Sequence, residues 1–519
     1  MHISAKRKKA LIRLCLAFII ATAFLTVFSK SSFLYPMNDW VDVNCFMTMG
    51  ASVFDGKVMY KDLYEQKGPL LYFAYAFATF VSPTSYIGAY ILEVVCFTFF
   101  LFYSLKLIEL FTGELDTRFS IGTMAALALA VTVAPAFAHG GSVEEMSLFM
   151  IAYSLYHLLR AVRSGNPIGL WRVFMMGAYA AAALWTKFTI LGFYFGLCLF
   201  IFFHYMRDGK KRKRLVAAAA CFLAGMIVMS SPIIAYFAAN GALKDLYIVY
   251  FYNNIFIYST ASGYGPLMTV YGVIRNIAVG FLESMVLDAP CTFLLLIGAC
   301  YLTKERKRLG SEASAVLTCF VSLSVFTFIG GIWNAVYYGL ILCGFAGFGA
   351  AGAIMLFDLR RRIPEFLTNK KGKLKLTGII SAILVAAFFL SGNTYLLRYR
   401  KWDLPQYKFE AIISRKENPT LLNYGFLDAG FYRVADIKPQ NRFFCKLNIV
   451  LPEMMQEQND IVENHKVDFV VTRGKRLEEY AVDCSAYRCV CQATFRFELH
   501  KFTYYLYILN EEFEGIETP

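Results

Sequence analysis

Two aspartates three residues apart follow the first apolar segment of the sequence. Asp39 and Asp42 lie in the long stretch from Lys30 to Tyr86, which separates the first predicted membrane span from the next. If a helix begins near Asn38, both carboxylates share one of its faces and lie at its N-terminus. Partial burial at a membrane surface raises the pKa of a carboxyl group, which suits a general base. The pattern therefore predicts a catalytic base here, with a plain helix cap as the alternative.

A second acidic segment, predicted to lie on the same side of the membrane, reads His139-Gly140-Gly141-Ser142-Val143-Glu144-Glu145. Two glutamates at the head of an apolar helix are costly unless they are used or solvated. Glu144 or Glu145 is therefore a candidate for a second catalytic acid. The alternative is N-cap chemistry, because Ser142 and Glu145 have the spacing of a capping box. His139 is interpreted as a loop histidine rather than a metal ligand.

Two lysines have positions that suit the binding of a lipid phosphate. Lys67 directly precedes Gly68-Pro69, and Lys187 lies in a short turn between two apolar runs. Ammonium groups at membrane depth can pair with a phosphate whose lipid tail lies in the bilayer. The alternative is that each lysine snorkels from a helix end. Arg275 is a weaker third candidate, and Tyr337-Tyr338 is typical of an aromatic belt or a substrate platform.

The elements that position these residues are apolar. Of the 519 residues 58% are hydrophobic, and the mean hydropathy of +0.51 indicates a polytopic membrane protein. The net charge of +14 comes from basic clusters between apolar runs, the pattern of cytoplasmic loops. It therefore indicates topology, and no nucleic-acid partner is predicted. The first apolar run lacks a small-x-small cleavage site, so we expect a retained span rather than a signal peptide.

The lengths of the apolar runs predict about eleven transmembrane helices, with the N-terminus cytoplasmic and the C-terminus extracytoplasmic. The predicted spans are residues 10–29, 86–111, 119–137, 145–162, 171–184, 188–206, 215–237, 285–303, 313–331, 336–357 and 375–391. The run 69–81 is too short to cross, and counting it would place the later basic loops outside. It is therefore predicted to be a re-entrant or surface helix. Residues 240–284 are expected outside, with surface helices such as 246–258 and 267–283.

The predicted fold class is a polytopic α-helical membrane protein with a C-terminal extracytoplasmic α/β domain. Residues 1–392 form the predicted transmembrane catalytic module, with 31–85 as its first outer loop, and 393–519 form the soluble domain. Strand-like runs lie at 420–424, 467–472 and 502–509, and helical patterns lie at 406–415 and 452–465. Three nearby cysteines could supply one disulfide, although their spacing does not support a zinc site: Cys484, Cys489 and Cys491.

Taken together, these features resemble the GT-C superfamily of polyprenyl-phosphate-sugar glycosyltransferases. The resemblance is to the bacterial branch related to protein O-mannosyltransferases (family 39) and lipid A aminoarabinose transferases. Its motifs correspond here to Asp42, Phe46, Gly50, the segment Gly56-Lys57-Val58-Met59-Tyr60-Lys61-Asp62, Lys67-Gly68-Pro69, the Gly-Gly-x-x-Glu-Glu loop and the Leu184-Trp185-Thr186-Lys187 turn. The similarity covers residues 31–190 by motif and the remainder by topology.

The resemblance implies a GT-C-like fold and an inverting, hexosyltransferase-type enzyme. It places the catalytic base at Asp42, with Asp39 as the alternative, and the second acid at Glu144 or Glu145. Substrate-binding positions would be Lys67, Lys187, Tyr60, Asp62 and Tyr338. Some relatives hold a divalent metal near these acids, so Asp42 and Glu144 would be its ligands if one binds; no other cofactor is predicted. Relatives often carry His-Tyr where this chain has Tyr337-Tyr338, a departure at that site.

The implied reaction transfers a sugar from a polyprenyl-phosphate donor to an acceptor hydroxyl at the outer face of a bacterial plasma membrane. The predicted partners are that donor, membrane lipid, and an acceptor that is a glycan, a lipid or a protein. A lipid or lipid-linked glycan flippase is the main alternative, although the unusual charges lie in loops rather than at the bilayer midplane. A cell-wall polymer polymerase or ligase is the second alternative, and it would need a large outer loop late in the chain.

Overall fold

A computed structural model describes residues 4–258, 270–330, 336–362, 370–449, 451–497 and 500–510. The longer helices are α1 Ala5–Phe28, α2 Val41–Phe54, α3 Pro69–Val81, α4 Ile87–Thr112, α5 Thr117–Thr132, α6 Val143–Ser164, α7 Leu170–Thr186 and α8 Leu191–Met206, followed by Leu215–Ala239, a π-helix over Leu246–Ile257, Val270–Leu287, Ala289–Lys304, Gly310–Phe328, Ala346–Leu356, Lys370–Leu390, Pro405–Ile413 and Pro452–Glu463. Short helical turns lie at Pro135–Phe137, Phe188–Ile190, Gly209–Arg212, Leu243–Asp245, Tyr338–Phe345, Leu359–Arg362, Thr394–Arg398, Lys401–Asp403, Phe431–Val434 and Leu477–Glu479. The strands are β1 Leu421–Asn423, β2 Phe469–Arg473, β3 Tyr487–Phe497 and β4 His500–Leu509.

The chain folds as two compact units, each assembled from separate stretches of sequence. Unit 1 comprises Met1–Ser29, Tyr90–Ile233 and Met268–Thr394, and unit 2 comprises Lys30–Ala89, Ile234–Leu267 and Tyr395–Pro519. The acidic stretch after the first span therefore belongs to the same unit as the C-terminal residues, while the Gly-Gly-x-x-Glu-Glu loop belongs to the other.

Unit 1 contains most of the membrane helices. Within the residues that the structure describes, seven helices are long and apolar enough to cross a membrane. They are Arg7–Phe28, Ile87–Thr112, Phe188–Met206, Leu215–Ala239, Val270–Leu287, Gly310–Phe328 and Tyr338–Leu356. Five shorter apolar helices accompany them: Val41–Phe54, Pro69–Val81, Thr117–Thr132, Ala289–Lys304 and Ser381–Leu390. The protein is thus a mostly helical membrane protein, as predicted, and the number of eleven spans stays a prediction.

Two regions compare directly with the predicted topology. The run 69–81 does form a short helix, α3, which begins with Pro69 at its first position, where a missing N–H costs no hydrogen bond. Helix Val270–Leu287, which carries Arg275 and was expected on the outer surface, is itself long and apolar enough to span a membrane. The first residues of the predicted helix 267–283 lie outside the described part of the chain.

The C-terminal part of unit 2 is the predicted small α/β domain. Its four-stranded sheet has the order β1-β2-β4-β3, with β1 parallel to β2 and the other pairs antiparallel. Helices Pro405–Ile413 and Pro452–Glu463 occur where the helical patterns were predicted. Strands β1, β2 and β4 coincide with the predicted runs, whereas β3 was missed. The domain core is formed by Leu422, Tyr424, Ile461, Val462, Val467, Val470, Leu477, Tyr487, Tyr507 and Leu509.

The structure contains no disulfide among the three C-terminal cysteines, for which one was considered possible. Cys484, Cys489 and Cys491 are all free thiols in the structure. Cys489 and Cys491 flank an irregularity in the pairing of β3 with β4, so their side chains belong to a strand rather than to a cross-linked loop. The close spacing of Cys489 and Cys491 is therefore explained by their position in strand β3.

Hydrogen bonds tie the C-terminal domain to the acidic stretch within unit 2. The Thr48 hydroxyl of α2 donates to Asp428 Oδ2 at 2.7 Å. Arg433 Nη2 donates to the carbonyl oxygen of Ser85 at 2.7 Å, and the N–H of Tyr64 donates to the carbonyl oxygen of Arg442 at 2.9 Å. The stretch after the first span is thus not a free loop, because the C-terminal domain is hydrogen-bonded to it at several points.

Candidate active site

Asp42 lies in the first turn of α2 and faces Lys67 within unit 2. Asp42 Oδ2 is 3.6 Å from Lys67 Nζ, and the two side chains are 16% and 19% exposed. At this separation the contact is an ion pair rather than a hydrogen bond. The helix N-terminus adds a further favourable field for the carboxylate. Two residues predicted for different roles, base and phosphate contact, are therefore neighbours.

Asp39 has a different environment, and the expectation that it shares a helical face with Asp42 is wrong. The side-chain oxygen of Asn38 accepts the N–H of Trp40 at 2.9 Å, and Trp40 is extended, so α2 begins only at Val41. Asp39 is buried before the helix starts. Its Oδ1 accepts from Lys30 Nζ at 2.7 Å and its Oδ2 accepts from the Tyr395 hydroxyl at 2.6 Å.

The turn that carries Lys67 is held by Tyr60 and Asp62, which were predicted to bind substrate. Tyr60 is fully buried with a φ of 68°, its ring stacks on Phe237 at 5.4 Å, and its hydroxyl donates to the carbonyl oxygen of Lys67 at 2.5 Å. Asp62 Oδ2 accepts the N–H of Val58 at 2.7 Å and closes the preceding turn. Both side chains are therefore directed at the protein backbone.

Glu65 is a site residue that the sequence reasoning missed. It is buried, and its Oε2 accepts the N–H of Lys67 at 3.0 Å and the hydroxyl of Tyr72. Burial raises the pKa of Glu65 above its ordinary value, an effect that the nearby Lys67 ammonium opposes and Asp42 reinforces. The available signal was its position two residues before Lys67, where an acid can reach the following backbone N–H.

In unit 1, three predicted site residues from distant parts of the sequence come together. Glu144 and Lys187 form a salt bridge whose side chains are 2% and 14% exposed. The Lys187 ammonium also lies 3.3 Å from the centroid of the Tyr338 ring and 5.5 Å from that of Tyr337. Cation–π contact of this kind strengthens when the cation is desolvated. His139 packs its ring against Tyr337 at 5.3 Å, so it borders the same cluster.

Glu145 serves the fold of the loop before α6. Ser142 is the N-cap and accepts the N–H of Glu145 at 3.1 Å, as the capping pattern predicted. Glu145 Oε2 accepts the N–H of Gly141 at 3.0 Å, so the reciprocal bond goes to the residue before the cap. Gly141 has a φ of 87°, a conformation that glycine adopts without strain. Glu145 is buried with Glu93 of α4 nearby.

Asp42 and Glu144, the predicted metal ligands, belong to different units. No group of three or more His, Cys, Asp or Glu side chains able to hold a metal ion occurs in the described residues. Asp42 and Glu144 each face a lysine ammonium group, which a cation would have to displace. A metal requirement stays a prediction.

Comparison with known proteins identifies structural rather than sequence similarity. No protein-family model matches the chain, and no curated protein matches it significantly. The crystal structure of ArnT from Cupriavidus metallidurans bound to undecaprenyl phosphate aligns with a TM-score of 0.56 and 14% identity, over 97% of this chain and 98% of ArnT. The Archaeoglobus fulgidus oligosaccharyltransferase in complex with zinc and sulfate aligns with a TM-score of 0.49 and 13% identity, over 89% and 67%. The nearly complete alignment with ArnT shows that this chain has the same fold as ArnT.

Proposed function

We propose that this protein transfers a sugar from a polyprenyl-phosphate donor to an acceptor hydroxyl at the outer face of a bacterial plasma membrane, with inversion. The observation that carries the proposal is the cluster of Glu144, Lys187 and Tyr338 in a chain with the GT-C fold. Side chains separated by up to about 190 residues of sequence provide an acid, a cation and an aromatic face at one place. ArnT, which has the same fold, was solved with undecaprenyl phosphate.

Asp42 is the base in this proposal. Asp39 is less suited to proton transfer because Lys30 and Tyr395 each occupy one of its oxygens at 2.6–2.7 Å. The Asp42–Lys67 contact of 3.6 Å is longer than either hydrogen bond of Asp39. In the second loop, Glu144 pairs with Lys187 whereas Glu145 caps the loop, which favours Glu144 as the acid of the site.

The reaction forms one bond and breaks one at the anomeric carbon. The acceptor oxygen attacks that carbon from the side opposite the phosphate, and its proton passes to Asp42. The bond between the anomeric carbon and the donor phosphate oxygen breaks, and its electron pair leaves with the lipid phosphate. The phosphate therefore gains about one negative charge as it changes from a diester to a monoester.

Lys67 and Lys187 would stabilise that developing charge. Both ammonium groups are mostly buried, where their interaction with a phosphate is stronger than in water. Each ammonium group is balanced by a carboxylate of its own unit, Asp42 for Lys67 and Glu144 for Lys187, until an anionic donor binds. Tyr60 and Asp62 act through the backbone of the turn that carries Lys67, and Tyr338 supports Lys187 from the ring face.

The partners follow from this reaction: a polyprenyl-phosphate sugar, membrane lipid, and a glycan, lipid or protein acceptor. The membrane module is residues 1–392, with the first outer loop at 31–85, and the domain 393–519 lies on the same outer side as that loop. The contacts of Asp428 and Arg433 with the stretch 48–85 support this common location.

Turnover of a lipid-linked sugar tests the proposal directly. Proteoliposomes of the wild-type protein receive a radiolabelled polyprenyl-phosphate sugar and a crude cell-envelope acceptor, and both labelled product and released polyprenyl phosphate are measured. Equal release of product and lipid phosphate, with the opposite anomeric configuration in the product, supports the proposal. Movement of the donor lipid between leaflets without cleavage would instead support a flippase.

Matched lysine variants test whether Lys67 and Lys187 stabilise the charge on the leaving phosphate. We expect Lys67→Met and Lys187→Met each to lower transfer about 10²–10³-fold, the usual effect of removing one group that stabilises transition-state charge. Lys61→Met is the control, because Lys61 is exposed in the same loop and its ammonium group donates to the carbonyl oxygen of Asn240 at 3.3 Å. Equal losses in all three variants would contradict specific roles for Lys67 and Lys187.

A further inference from the structure

Two cysteines 400 residues apart in sequence meet inside unit 2. The Sγ atoms of Cys45 and Cys445 are 3.9 Å apart, and each side chain is 1% exposed. Cys45 lies on α2, three residues after Asp42, and Cys445 lies in the C-terminal domain. A disulfide needs sulfur atoms about 2.05 Å apart. The two sulfurs would therefore have to approach by roughly 2 Å, a distance that small side-chain rotations can supply.

Close contacts near the cysteine pair hold α2 against the C-terminal domain. One turn along α2, the Thr48 hydroxyl donates to Asp428 at 2.7 Å. A Cβ atom on Gly430 would lie 2.9 Å from Asn44 Oδ1, so the backbone of the C-terminal domain approaches α2 closely at this point. The proximity of the two thiols is thus imposed by packing around them and does not depend on a mobile segment.

We propose that Cys45 and Cys445 form a disulfide that ties α2 to the C-terminal domain. The inference rests on the proposed outer location of unit 2, since disulfides persist in oxidising compartments. The two thiols lose two protons and two electrons and form one S–S bond. A thiol–disulfide oxidant takes up these electrons and protons, because its own disulfide is reduced to two thiols.

The bond forms while unit 2 folds rather than afterwards. The thiolate is the reacting form in disulfide exchange. In the folded protein the contact with Cys445, followed by burial, raises the pKa of Cys45, and burial raises that of Cys445. Complete burial also keeps an oxidant away from both sulfurs. Once formed, the bond would hold the helix that carries Asp42 in a fixed position on the domain.

Unit 1 supplies an internal control. Cys291 and Cys343 are also buried and within hydrogen-bonding reach of each other. They lie on helix Ala289–Lys304 and on the turn Tyr338–Phe345, in the apolar helical part of the chain. A pair inside the membrane module is not exposed to a water-soluble oxidant at the outer face, so we expect these two thiols to stay reduced.

Peptide mass analysis tests the inference without any activity assay. The full-length protein is made in a host with an oxidising outer compartment, quenched in acid, denatured and treated with N-ethylmaleimide before non-reducing digestion. We expect a Cys45–Cys445 linked peptide that separates on reduction, and alkylated Cys291 and Cys343. Recovery of Cys45 and Cys445 as alkylated thiols would overturn the inference.

Two further measurements test the outer location of unit 2 and distinguish a disulfide from two thiols that are only packed together. A membrane-impermeant maleimide should label Lys61→Cys on intact cells, which shows that the loop is outside independently of the disulfide. Cys45→Ser and Cys445→Ser should each lower the thermal midpoint, and the double variant should lower it no further, because all three lose the same bond. Additive shifts, or labelling of Lys61→Cys together with free thiols, would overturn the disulfide while leaving the proposed transfer reaction in place.

Discussion

The Glu144–Lys187 pair offers a test in which stability and activity should separate. Lys187→Met removes the cation that faces Glu144, whose side chain is 2% exposed. An acid left buried without its partner costs about 3–5 kcal/mol of stability. Glu144→Gln leaves the ammonium over the Tyr338 ring, where cation–π attraction of about 2 kcal/mol persists. We therefore expect this variant to lose only about 1–3 kcal/mol.

The double variant carries the decisive information. With both charges removed, no ion is left buried, so Glu144→Gln/Lys187→Met should be more stable than Lys187→Met alone. The coupling between the two sites should be at least about 2 kcal/mol, within the range for residues in contact. Transfer activity should nevertheless stay low in all three variants, because each lacks a charge of the site.

Thermal midpoints in detergent and proteoliposome transfer rates measure the two properties separately. Lys9→Met and Glu114→Gln serve as a control pair, since these side chains form a salt bridge but are 45% and 65% exposed. Exposed pairs contribute little, so neither control should shift the midpoint appreciably. The reasoning is refuted if the destabilisations of Glu144→Gln and Lys187→Met simply add in the double variant.

Two further predictions concern unit 2. Gly50→Ala on α2 should cost about 1–3 kcal/mol of stability, because its Cβ would lie 2.5 Å from the Ala76 nitrogen of α3. Gly122→Ala is the control for this variant. A Cβ at Gly122 would meet nothing within 4 Å beyond its own helix, so the substitution should be neutral or stabilising in the same thermal assay. Burial raises the pKa of Asp428 from 3.8 to about 6, so the folded state holds a proton that the unfolded state releases. The contribution of Asp428 to stability should be greatest below pH 3.8 and fall by about 3 kcal/mol as the pH rises to about 6. Asp428→Asn should remove that slope from the thermal midpoints measured between pH 4 and 7, and an unchanged slope would contradict the assignment.

Much of the helical fold could be predicted because long apolar runs leave few alternatives. The turn at Lys187 and the short helix α3 follow from two local signals, a polar interruption and a proline. Strand β3 was predictable in principle, since Tyr487 to Phe497 alternates between apolar and polar residues, but its cysteines suggested a disulfide instead. Periodicity was the more reliable signal in this segment.

The candidate site could be predicted in part for a similar reason. Sequence motifs identified Glu144, Lys187 and Tyr338 separately, and only the fold brings them into contact. The difference between Asp39 and Asp42 was not accessible from spacing, because it depends on the Tyr395 hydroxyl far along the chain. Glu65 was missed because its role is a backbone hydrogen bond, for which its position two residues before Lys67 is only a weak signal.

The most direct test of the central claim compares sugar transfer by Asp42→Asn and Asp55→Asn in proteoliposomes. Asp42 lies in the first turn of α2, and Asp55 is the exposed residue that follows the same helix, so the two variants make the same chemical change. We predict that Asp42→Asn lowers the rate about 10²–10⁴-fold with donor binding retained, the range for loss of a general base, and that Asp55→Asn stays at the wild-type rate. Full transfer by Asp42→Asn would contradict its role as the base.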